Sequence, residues 1–337
     1  MMSTNSRRPA RAATALAVLA AGALALSACG GSTPGATAST SASVDPTAPE
    51  VKEFSVAGYP NAATTQLSLA TSEGFTAEYG IDVTLQPAEN APAMLAQIIS
   101  GDVPIGQVNG FFSVPAVMEG ADLVVIGELI RGVPGGQTVE VRPDAGIDSV
   151  ADLEGKKVAV VGLNSGHQGR IASAMLAEGA DPSKVEFVSL GWNEMPAALE
   201  QGTVDAVTVI GPSQLQLKNE LSTETLLDLG DGMFAEFPDS QWLANGRWAR
   251  ENPNTVAAFQ CAVVVKGQQA VNEDQDAYEA ALREFGFSDQ AIADDKKFIF
   301  PAANEPAQII PDIMSEMGWI DKDFDISTIT IPLPDNC

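Results

Sequence analysis

The stretch ENAPAMLAQIISGDVPIGQV, residues 89–108, and the stretch GWNEMPAALEQGTVDAVTV, residues 191–209, follow one plan. Each begins with a polar loop, continues with a segment of helical spacing, and reaches a β-branched strand through a glycine, one further residue and a valine. Gly101 in the first copy corresponds to Gly202 in the second. A right-handed strand-helix-strand unit often ends its helix with such a glycine. The repetition therefore predicts two lobes of similar topology.

Short runs rich in Val, Ile and Thr recur along the chain and alternate with segments whose apolar residues have helical spacing. Such runs are typical of β-strands. Strand, helix and strand in succession predict an α/β protein whose mostly parallel, doubly wound sheets are covered by helices on both faces. The predicted strands are EFSVAG, IDVTLQP, PIGQVN, DLVVIGEL, QTVEVR, KVAVVG, VEFVSL and VDAVTVI.

The pattern changes beyond GPSQLQLKNE, residues 211–220. A short strand is predicted near residues 241–244, and helices are predicted over residues 253–272, 275–285, 289–297 and 305–317. The sequence therefore predicts a mostly helical C-terminal segment.

The N-terminus has the features of a cleavable export signal. Arg7, Arg8 and Arg11 precede an alanine- and leucine-rich run that closes with small residues near Ala28. A membrane-spanning helix is the alternative, but the run is barely as long as the ~20 apolar residues that cross a bilayer, and it consists mostly of weakly hydrophobic alanine. We therefore predict a signal peptide over residues 1–28.

The stretch LSACG, residues 26–30, resembles the lipobox of bacterial lipoproteins, in which the cysteine is lipidated and becomes the mature N-terminus. The resemblance implies that Cys29 carries a lipid anchor. The alternative is an ordinary secretory signal with an incidental cysteine. The following residues are mainly Gly, Ser, Thr, Ala and Pro with the single acid Asp45, a composition that buries too little apolar surface to fold. We therefore predict a lipidated cysteine and flexible tether over residues 29–50.

Size and charge narrow the class of protein. The chain has 337 residues, of which 45% are hydrophobic and 18% charged, and it is long enough for two lobes of ordinary domain size. Its net charge of -26 argues against a nucleic-acid partner, because such a protein needs a cationic surface. The same charge repels a small anion at long range, so an anion site would have to work through local dipoles.

Besides Cys29 the chain has Cys261 and Cys337. Disulfides persist outside the cytoplasm, and Cys337 is the last residue, at a terminus that would otherwise fray. We expect the two cysteines to pair. Two buried free thiols are the alternative.

The loops after the predicted strands contain the candidate ligand-binding residues. Ligands of open parallel sheets lie beyond the carboxyl ends of the strands, where the first N–H groups of the following helices also point. These loops offer asparagines, hydroxyls and aromatic rings but no lysine, which favours a neutral or singly charged ligand. The candidates are Tyr59, Asn61, Asn90, Asn109, Phe111, Phe112, Asn164, Ser165, His167, Trp192, Asn193 and Pro212.

Each candidate also has a structural interpretation. Asparagine and serine commonly cap helices, and the aromatic residues are equally suited to a hydrophobic core. The prediction therefore depends on the recurrence of these residues at equivalent loops rather than on any one of them. We give first place to Asn109, Ser165 and Trp192.

His167 is the single histidine, so it has no second histidine or thiolate cluster for a metal site and no nucleophile partner for catalysis. The surrounding GLNSGHQG, residues 162–169, lacks the Gly-Lys-Ser/Thr ending of a phosphate-binding loop and is not a dinucleotide fingerprint. We expect no metal, no cofactor and no catalytic residue, and we assign His167 a capping or ligand-bonding role.

From about Val51 to Ile320 the chain resembles the periplasmic-type substrate-binding proteins of ABC importers, in the branch that serves nitrate, aliphatic sulfonates, taurine and thiamine-precursor pyrimidines. The segments that carry the likeness stand in the family's order: EGFTAEYGIDVTL, AMLAQIISGDVPIGQV, ADLEGKKVAVVGLNSGH, PAALEQGTVDAVTVIGP and WARENPNTVAAFQ. The resemblance implies a type II binding-protein fold, with lobe 1 over residues 51–140 and 241–337 and lobe 2 over residues 141–240, joined by two crossing segments.

The family's ligand loops match the candidate residues above and add Thr65 to them. The family often has an aromatic residue and an acid around the IGP triplet, where this chain has Ile210 and Gly211. The difference leaves the class of ligand open between a sulfonate-, taurine- or nitrate-like anion and a pyrimidine-like ring.

The resemblance implies a monomeric solute-binding lipoprotein, held by its lipid at the extracytoplasmic face of the cell membrane, that delivers a small organic ligand to an ABC permease and its ATPase. Contacts of the ligand with both lobes would drive their closure. The alternatives are a lipoprotein that senses its ligand without transporting it, and a pyrimidine- or menaquinone-pathway enzyme of the same fold. The export signal and the missing acid and base pair argue against the enzyme.

Overall fold

The computed structural model describes residues 44–88, 90–293, 298–321 and 323–337. The predicted signal peptide, Cys29 and the predicted tether up to residue 43 lie outside the described residues, as does the end of the predicted helix over residues 289–297. Within the described ranges, no helix has both the length and the apolar character that crossing a bilayer requires.

The strands coincide with the β-branched runs of the sequence. In chain order they are β1 (Glu53–Gly58), β2 (Asp82–Pro87), β3 (Ile105–Val108), β4 (Leu123–Arg131), β5 (Gln137–Val141), β6 (Lys157–Val160), β7 (Glu186–Ser189), β8 (Ala206–Ile210), β9 (Glu224–Asp228) and β10 (Pro238–Asn245). The eight runs predicted from the sequence correspond to β1 through β8, and the strand expected near residues 241–244 is β10. The sequence pattern did not predict β9.

These strands form two sheets of one design. The first has the order β2-β1-β3-β10-β4, with β10 antiparallel to both neighbours, and the second has the order β7-β6-β8-β5-β9, with β5 antiparallel to both neighbours. The predicted α/β class with mostly parallel sheets is confirmed. The two copies of the repeated sequence unit end in β3 and β8, which occupy the same central position in the two sheets.

Helices connect the strands and form the C-terminal segment. In chain order they are α1 (Thr65–Ser72), α2 (Phe75–Glu78), α3 (Ala91–Ser100), α4 (Gly110–Met118), α5 (Gly166–Ala177), α6 (Met195–Glu200), α7 (Gly211–Leu221), α8 (Gly246–Glu251), α9 (Pro253–Phe259), α10 (Gln268–Glu273), α11 (Gln275–Glu284), α12 (Asp289–Ala293) and α13 (Ile309–Glu316). A π-helical segment, Gln260–Gly267, joins α9 to α10, and short 3-10 helices lie at Ala62–Thr64, Val150–Leu153, Pro182–Lys184, Gly232–Phe234 and Ile326–Ile329.

The chain passes to the second sheet between Arg131 and Gln137 and returns between Asp228 and Pro238. The family resemblance implies these crossings near residues 140 and 241. The first differs because β5 already pairs with β8 and β9 of the second sheet. An alternating strand carries no local sign of the sheet it joins, since its partners lie far along the chain.

The helical C-terminal segment is shared between the two cores. Residues of α9, the π-helical segment, α10 and α11 pack with Trp242 in the core of the first lobe. The side chains of Ile310, Ile313 and Met314 on α13 pack instead in the core of the second lobe. The chain then returns to the first lobe, where the N–H of Ile331 donates to the carbonyl of Val125 at 2.9 Å.

Residues 44–50, assigned to the tether from their composition, are held on α9 in the structure. The N–H of Asp45 donates to Asn254 Oδ1 at 2.8 Å, and the carboxylate of Glu50 accepts the N–H of Thr255 at 2.8 Å. The composition gave the wrong prediction for residues 44–50, because hydrogen bonds to the N-terminal residues of α9 hold this segment and apolar burial does not.

The structure also brings the expected cysteine pair together at the other end of the chain. The Sγ atoms of Cys261 and Cys337 lie within bonding distance of each other, and Cys261 is fully buried in the first core. The hydroxyl of Tyr79 donates to the carbonyl of Cys337 at 3.1 Å. The C-terminus is therefore fastened to the first lobe, where the disulfide remains a prediction.

Candidate functional site

The asparagines and the serine of the predicted loops cap the helices that follow them. Asn61 accepts the N–H of Ala63 at 3.1 Å, and Asn90 accepts that of Ala93 at 2.9 Å. Asn109 begins α4 by accepting the N–H of Phe111 at 2.9 Å, and Ser165 begins α5 by accepting that of Gln168 at 3.4 Å. The capping interpretation is therefore correct for all four, and it places a helix N-terminus at each loop.

Tyr59 and Thr65 lie at the loop after β1. Tyr59 is half-buried, and this burial raises the pKa of its phenol. Its N–H donates to Gln107 Oε1 at 3.1 Å, which fixes the start of the loop. Thr65 is fully buried, and its hydroxyl donates to the carbonyl of Ala62 at 2.8 Å. The Thr65 hydroxyl is thus buried and hydrogen-bonded within the fold, whereas Tyr59 is only partly buried.

Phe111 joins the two lobes. It belongs to α4 of the first lobe, yet its buried ring packs in the hydrophobic core of the second. The ring lies against Gly169, where a Cβ atom would stand 2.8 Å from Phe111 Cε1, and against Gly166, where a Cβ atom would stand 3.4 Å from the ring. Phe111 is therefore a packing residue, and the glycines of the GLNSGHQG stretch give it room.

Phe112, the next residue, points to another environment. Its half-buried ring packs against the cluster of the first lobe that contains Val108 and Leu243, together with the ring of Tyr59. The two neighbouring aromatic residues therefore face different lobes.

The N-termini of α4 and α5 come close together at this contact. Asn109 Nδ2 lies 3.6 Å from the position that a Cβ atom on Gly166 would occupy. Asn109 and Ser165 each bind one N–H of the helix that they cap, and both N-termini carry the positive end of the helix dipole. The arrangement can bind a carbonyl, a ring nitrogen or an anionic oxygen between the lobes.

His167 and Trp192 form an aromatic pair beside the start of α5. Their ring centroids lie 5.2 Å apart at an interplanar angle of 78°. Nε2 of His167 is buried, and no hydrogen-bond partner for it lies among the described residues. Burial, assisted by the positive charge of Arg170, lowers the pKa of His167 to about 3. The imidazole is therefore neutral at physiological pH.

The remaining candidates are Asn164, Asn193 and Pro212. Asn164 is exposed at φ 55°, and its N–H donates to Gln168 Oε1 at 2.7 Å. Asn193 is exposed and lines a groove of about 190 Å³ between α6 and α7. Pro212 stands in the first turn of α7.

Two arginines that lie near these loops in the sequence bind carboxylates of the protein itself. Arg131 makes a double contact with Glu128, at 2.8 Å to each carboxylate oxygen, and also reaches Glu236 and Glu305 at 3.3 Å. Arg170 is almost fully buried and pairs with Asp239 at 2.9 Å. Sequence reasoning missed Asp239, because its partner lies in another element and no local pattern marks the pair.

Other features of the surface do not extend this site. A groove of about 410 Å³ lies between α1, β2 and the end of α11, and none of the predicted site residues is in its lining. Across the described ranges, no group of three or more His, Cys, Asp or Glu side chains is arranged to hold a metal ion.

Comparisons with known proteins agree with this architecture. The family model described as NMT1/THI5 like matches residues 61–277. A formylaminopyrimidine-binding protein of Halalkalibacterium halodurans is 26% identical over 243 residues, which make up 72% of this chain and 72% of that protein.

Solved structures share the fold. The periplasmic aliphatic sulphonate binding protein SsuA from Escherichia coli matches with a TM-score of 0.67 at 19% identity, over 83% of this chain and 97% of that one. The periplasmic nitrate-binding protein NrtA from Synechocystis PCC 6803 matches with a TM-score of 0.66 at 17% identity, over 84% of this chain and 87% of that one. The expected two-lobed periplasmic binding protein fold is confirmed.

Proposed function

Because this chain belongs to the NMT1/THI5-like family, we propose that it is the extracytoplasmic solute-binding protein of an ABC importer and that its ligand is a neutral, pyrimidine-like ring. It binds the ligand between its lobes and delivers it to the permease without catalysing a reaction. The pairing of His167 with Trp192 beside two converging helix N-termini is the observation that carries this proposal.

The charges around the loops favour a neutral ring over an anion. The guanidinium groups of Arg131 and Arg170 already bind carboxylates, and the imidazole of His167 is uncharged. A sulfonate or nitrate would therefore depend on helix N-termini alone. A pyrimidine offers ring nitrogens to the same N–H donors and an aromatic face to the indole of Trp192.

The similarity to a formylaminopyrimidine-binding protein supports the same choice, since that relative has higher identity than the sulphonate- and nitrate-binding structures. The chemistry of the site and this similarity therefore favour the same ligand class.

The two-lobed design supports delivery to a permease. A ligand that contacts both lobes stabilises the closed arrangement by the difference between its affinities for the closed and the open states. The permease and its ATPase would recognise that closed shape. We further propose that Cys29 carries the lipid that holds the protein, as a monomer, at the membrane; mass measurement of the mature N-terminus tests this.

Calorimetric titration tests the ligand class. Formylaminopyrimidine should bind the protein more tightly than taurine, an alkanesulfonate or nitrate does. Trp192→Ala should weaken that affinity roughly 5- to 150-fold, because stacking on an aromatic ring contributes about 1 to 3 kcal/mol.

Trp248→Ala is the matched control. Trp248 is a half-buried indole that packs on Phe54 at 5.6 Å, away from the candidate loops, and its loss should leave affinity unchanged. Tighter binding of an anion than of the pyrimidine, or equal affinity of the two tryptophan variants, would show that the assignment is wrong.

A further inference from the structure

A chain of hydrogen bonds links the N-terminus of α4 to that of α5 beside the crossing segments. The side-chain amide of Asn109 donates from Nδ2 to the carbonyl oxygen of Asp239. The carboxylate of Asp239 accepts from Arg170 Nη2 at 2.9 Å. Arg170 Nε in turn donates to the carbonyl of Gly166, the first residue of α5, at 3.1 Å. Asp239 and Arg170 therefore link the cap of α4 to the first residue of α5, and the two helices belong to different lobes.

Arg170 makes further contacts with both crossing segments. Its Nη1 donates to the carbonyl of Leu229 after β9, and its Nη2 donates to Gln137 Oε1 at the start of β5 at 2.7 Å. The guanidinium lies 4.6 Å from the ring centroid of Phe237. One buried group thus contacts the chain where it enters the second sheet and where it leaves.

The crossing segments pack directly on each other at this place. The N–H of Gly132 donates to the carbonyl of Phe237 at 2.9 Å. A Cβ atom on Gly230 would collide with the backbone of Val133, so the close approach requires glycine there. This contact ties the two crossing segments to each other where the chain passes between the lobes.

Stability alone does not explain a charged pair at this position. Removing two charges from water costs several kcal/mol per ion, and well-packed apolar side chains often replace such pairs without loss. Burial raises the pKa of Asp239 and lowers that of Arg170, while each charge favours the ionised form of the other. An apolar pair at these two positions could not form the directional hydrogen bonds that Arg170 and Asp239 make.

We propose that Arg170 and Asp239 are a positioning pair that fixes the N-termini of α4 and α5 relative to each other and thereby sets the geometry in which both lobes meet the ligand. The part that concerns the ligand rests on the function proposed above. The part that concerns the lobes does not, because it follows from bonds between the lobes themselves.

The distance between the lobes tests the pair without a ligand. Spin labels are attached at Glu73→Cys on the first lobe and Glu178→Cys on the second, both exposed positions, in the full-length chain carrying Cys29→Ser. Asp239→Asn keeps the shape of the side chain and removes its charge. This variant should broaden the distribution of label distances and weaken formylaminopyrimidine binding roughly 2- to 30-fold, the range found for residues that couple two parts of a protein.

Two further variants separate positioning from folding. Arg170→Met combined with Asp239→Leu removes both charges, so it should restore the melting temperature while the distances stay broad. Arg142→Met is the control: Arg142 Nη1 donates to the carbonyl of Leu199 at 2.6 Å within the second lobe, and its loss should leave the distances unchanged.

Each outcome decides between the explanations. Distances as narrow as in the wild type for Asp239→Asn, or for the doubly substituted chain, would overturn the proposal and leave the pair a purely structural one. Broad distances in Asp239→Asn, together with a wild-type protein that does not bind formylaminopyrimidine, would keep the positioning pair and refute the ligand proposed above. Equal broadening by Arg142→Met would also count against the pair, because its effect would then be unspecific.

Discussion

Replacing Gly169 by alanine tests the contact between the lobes most directly. Gly169 lies inside α5, and the ring of Phe111 from α4 packs on it. A Cβ atom at this position would stand 2.8 Å from Phe111 Cε1, 3.1 Å from Phe111 Cζ and 3.2 Å from Ile313 Cγ2. These neighbours are a rigid ring and a branched side chain in a closed core, so they cannot simply rotate away.

The expected loss follows from two opposing terms. Alanine in a helix interior is more favourable than glycine by about 0.5 to 1 kcal/mol. Overpacking a closed core costs about 1 to 3 kcal/mol. We therefore expect Gly169→Ala to lower the free energy of unfolding by about 1 kcal/mol, although the same change at an open helical position would raise it.

Gly166→Ala supplies the control on the same helix and the same ring. A Cβ atom there would stand 3.4 Å from the nearest atoms of Phe111, which is ordinary contact. Urea unfolding should show this variant to be as stable as the wild type or slightly more so. Adding Phe111→Leu to Gly169→Ala should recover part of the loss, with a coupling of about 1 kcal/mol. Equal stability of the two alanine variants would refute the proposed insertion of Phe111.

Three further outcomes are expected. The closure of a loop over a sequence separation of 76 predicts that Cys261→Ser lowers the free energy of unfolding by up to about 4 kcal/mol. A urea midpoint of the wild-type protein that does not change under reducing conditions would contradict the disulfide. His167 has its pKa lowered to about 3, so between about pH 3 and 6.5 the unfolded chain binds one more proton at this residue than the folded protein does. The contribution of His167 to the free energy of unfolding should therefore fall by about 1.4 kcal/mol for each pH unit of acidification in that range, and the pH dependence of His167→Gln should be shallower by that amount. Partial burial raises the pKa of Glu50, but hydrogen bonds from Asn254 and Thr255 outweigh this effect and lower the pKa. Glu50→Gln should therefore lower the free energy of unfolding by about 1 kcal/mol and expose residues 44–50 to proteases. Unchanged protease resistance of residues 44–50 would contradict their docking on α9.

The strands could be predicted from the sequence because each β-branched run is bounded by turn residues. The exception is β9, Glu224–Asp228, whose residues ETLLD are charged at both ends and include one β-branched residue. It pairs along one side only, at the edge of the second sheet. An edge strand needs no continuous apolar run, so its sequence gives a weaker signal.

The candidate site was predicted less completely than the fold. Loop positions follow from strand positions, so the capping residues Asn109 and Ser165 could be found from the sequence. The inward direction of Phe111 and the burial of Thr65 depend on which lobe packs behind them, which no local pattern records. Asp239 lies 69 residues from Arg170, and neither residue differs in its neighbourhood from an ordinary surface charge.

Charge over the whole molecule and chemistry at the site favour the same class of ligand. A net charge of -26 creates a field that opposes the approach of an anion, and this repulsion weakens as salt shortens the Debye length to about 10 Å at 0.1 M. A neutral ring does not experience this repulsion. For an anion, the guanidinium groups of Arg131 and Arg170 would not offset the repulsion, because they already bind carboxylates. The association rate of the true ligand should therefore be nearly independent of ionic strength. A rate that rises with added salt would point to an anion, since only a charged ligand gains from screening of the acidic surface.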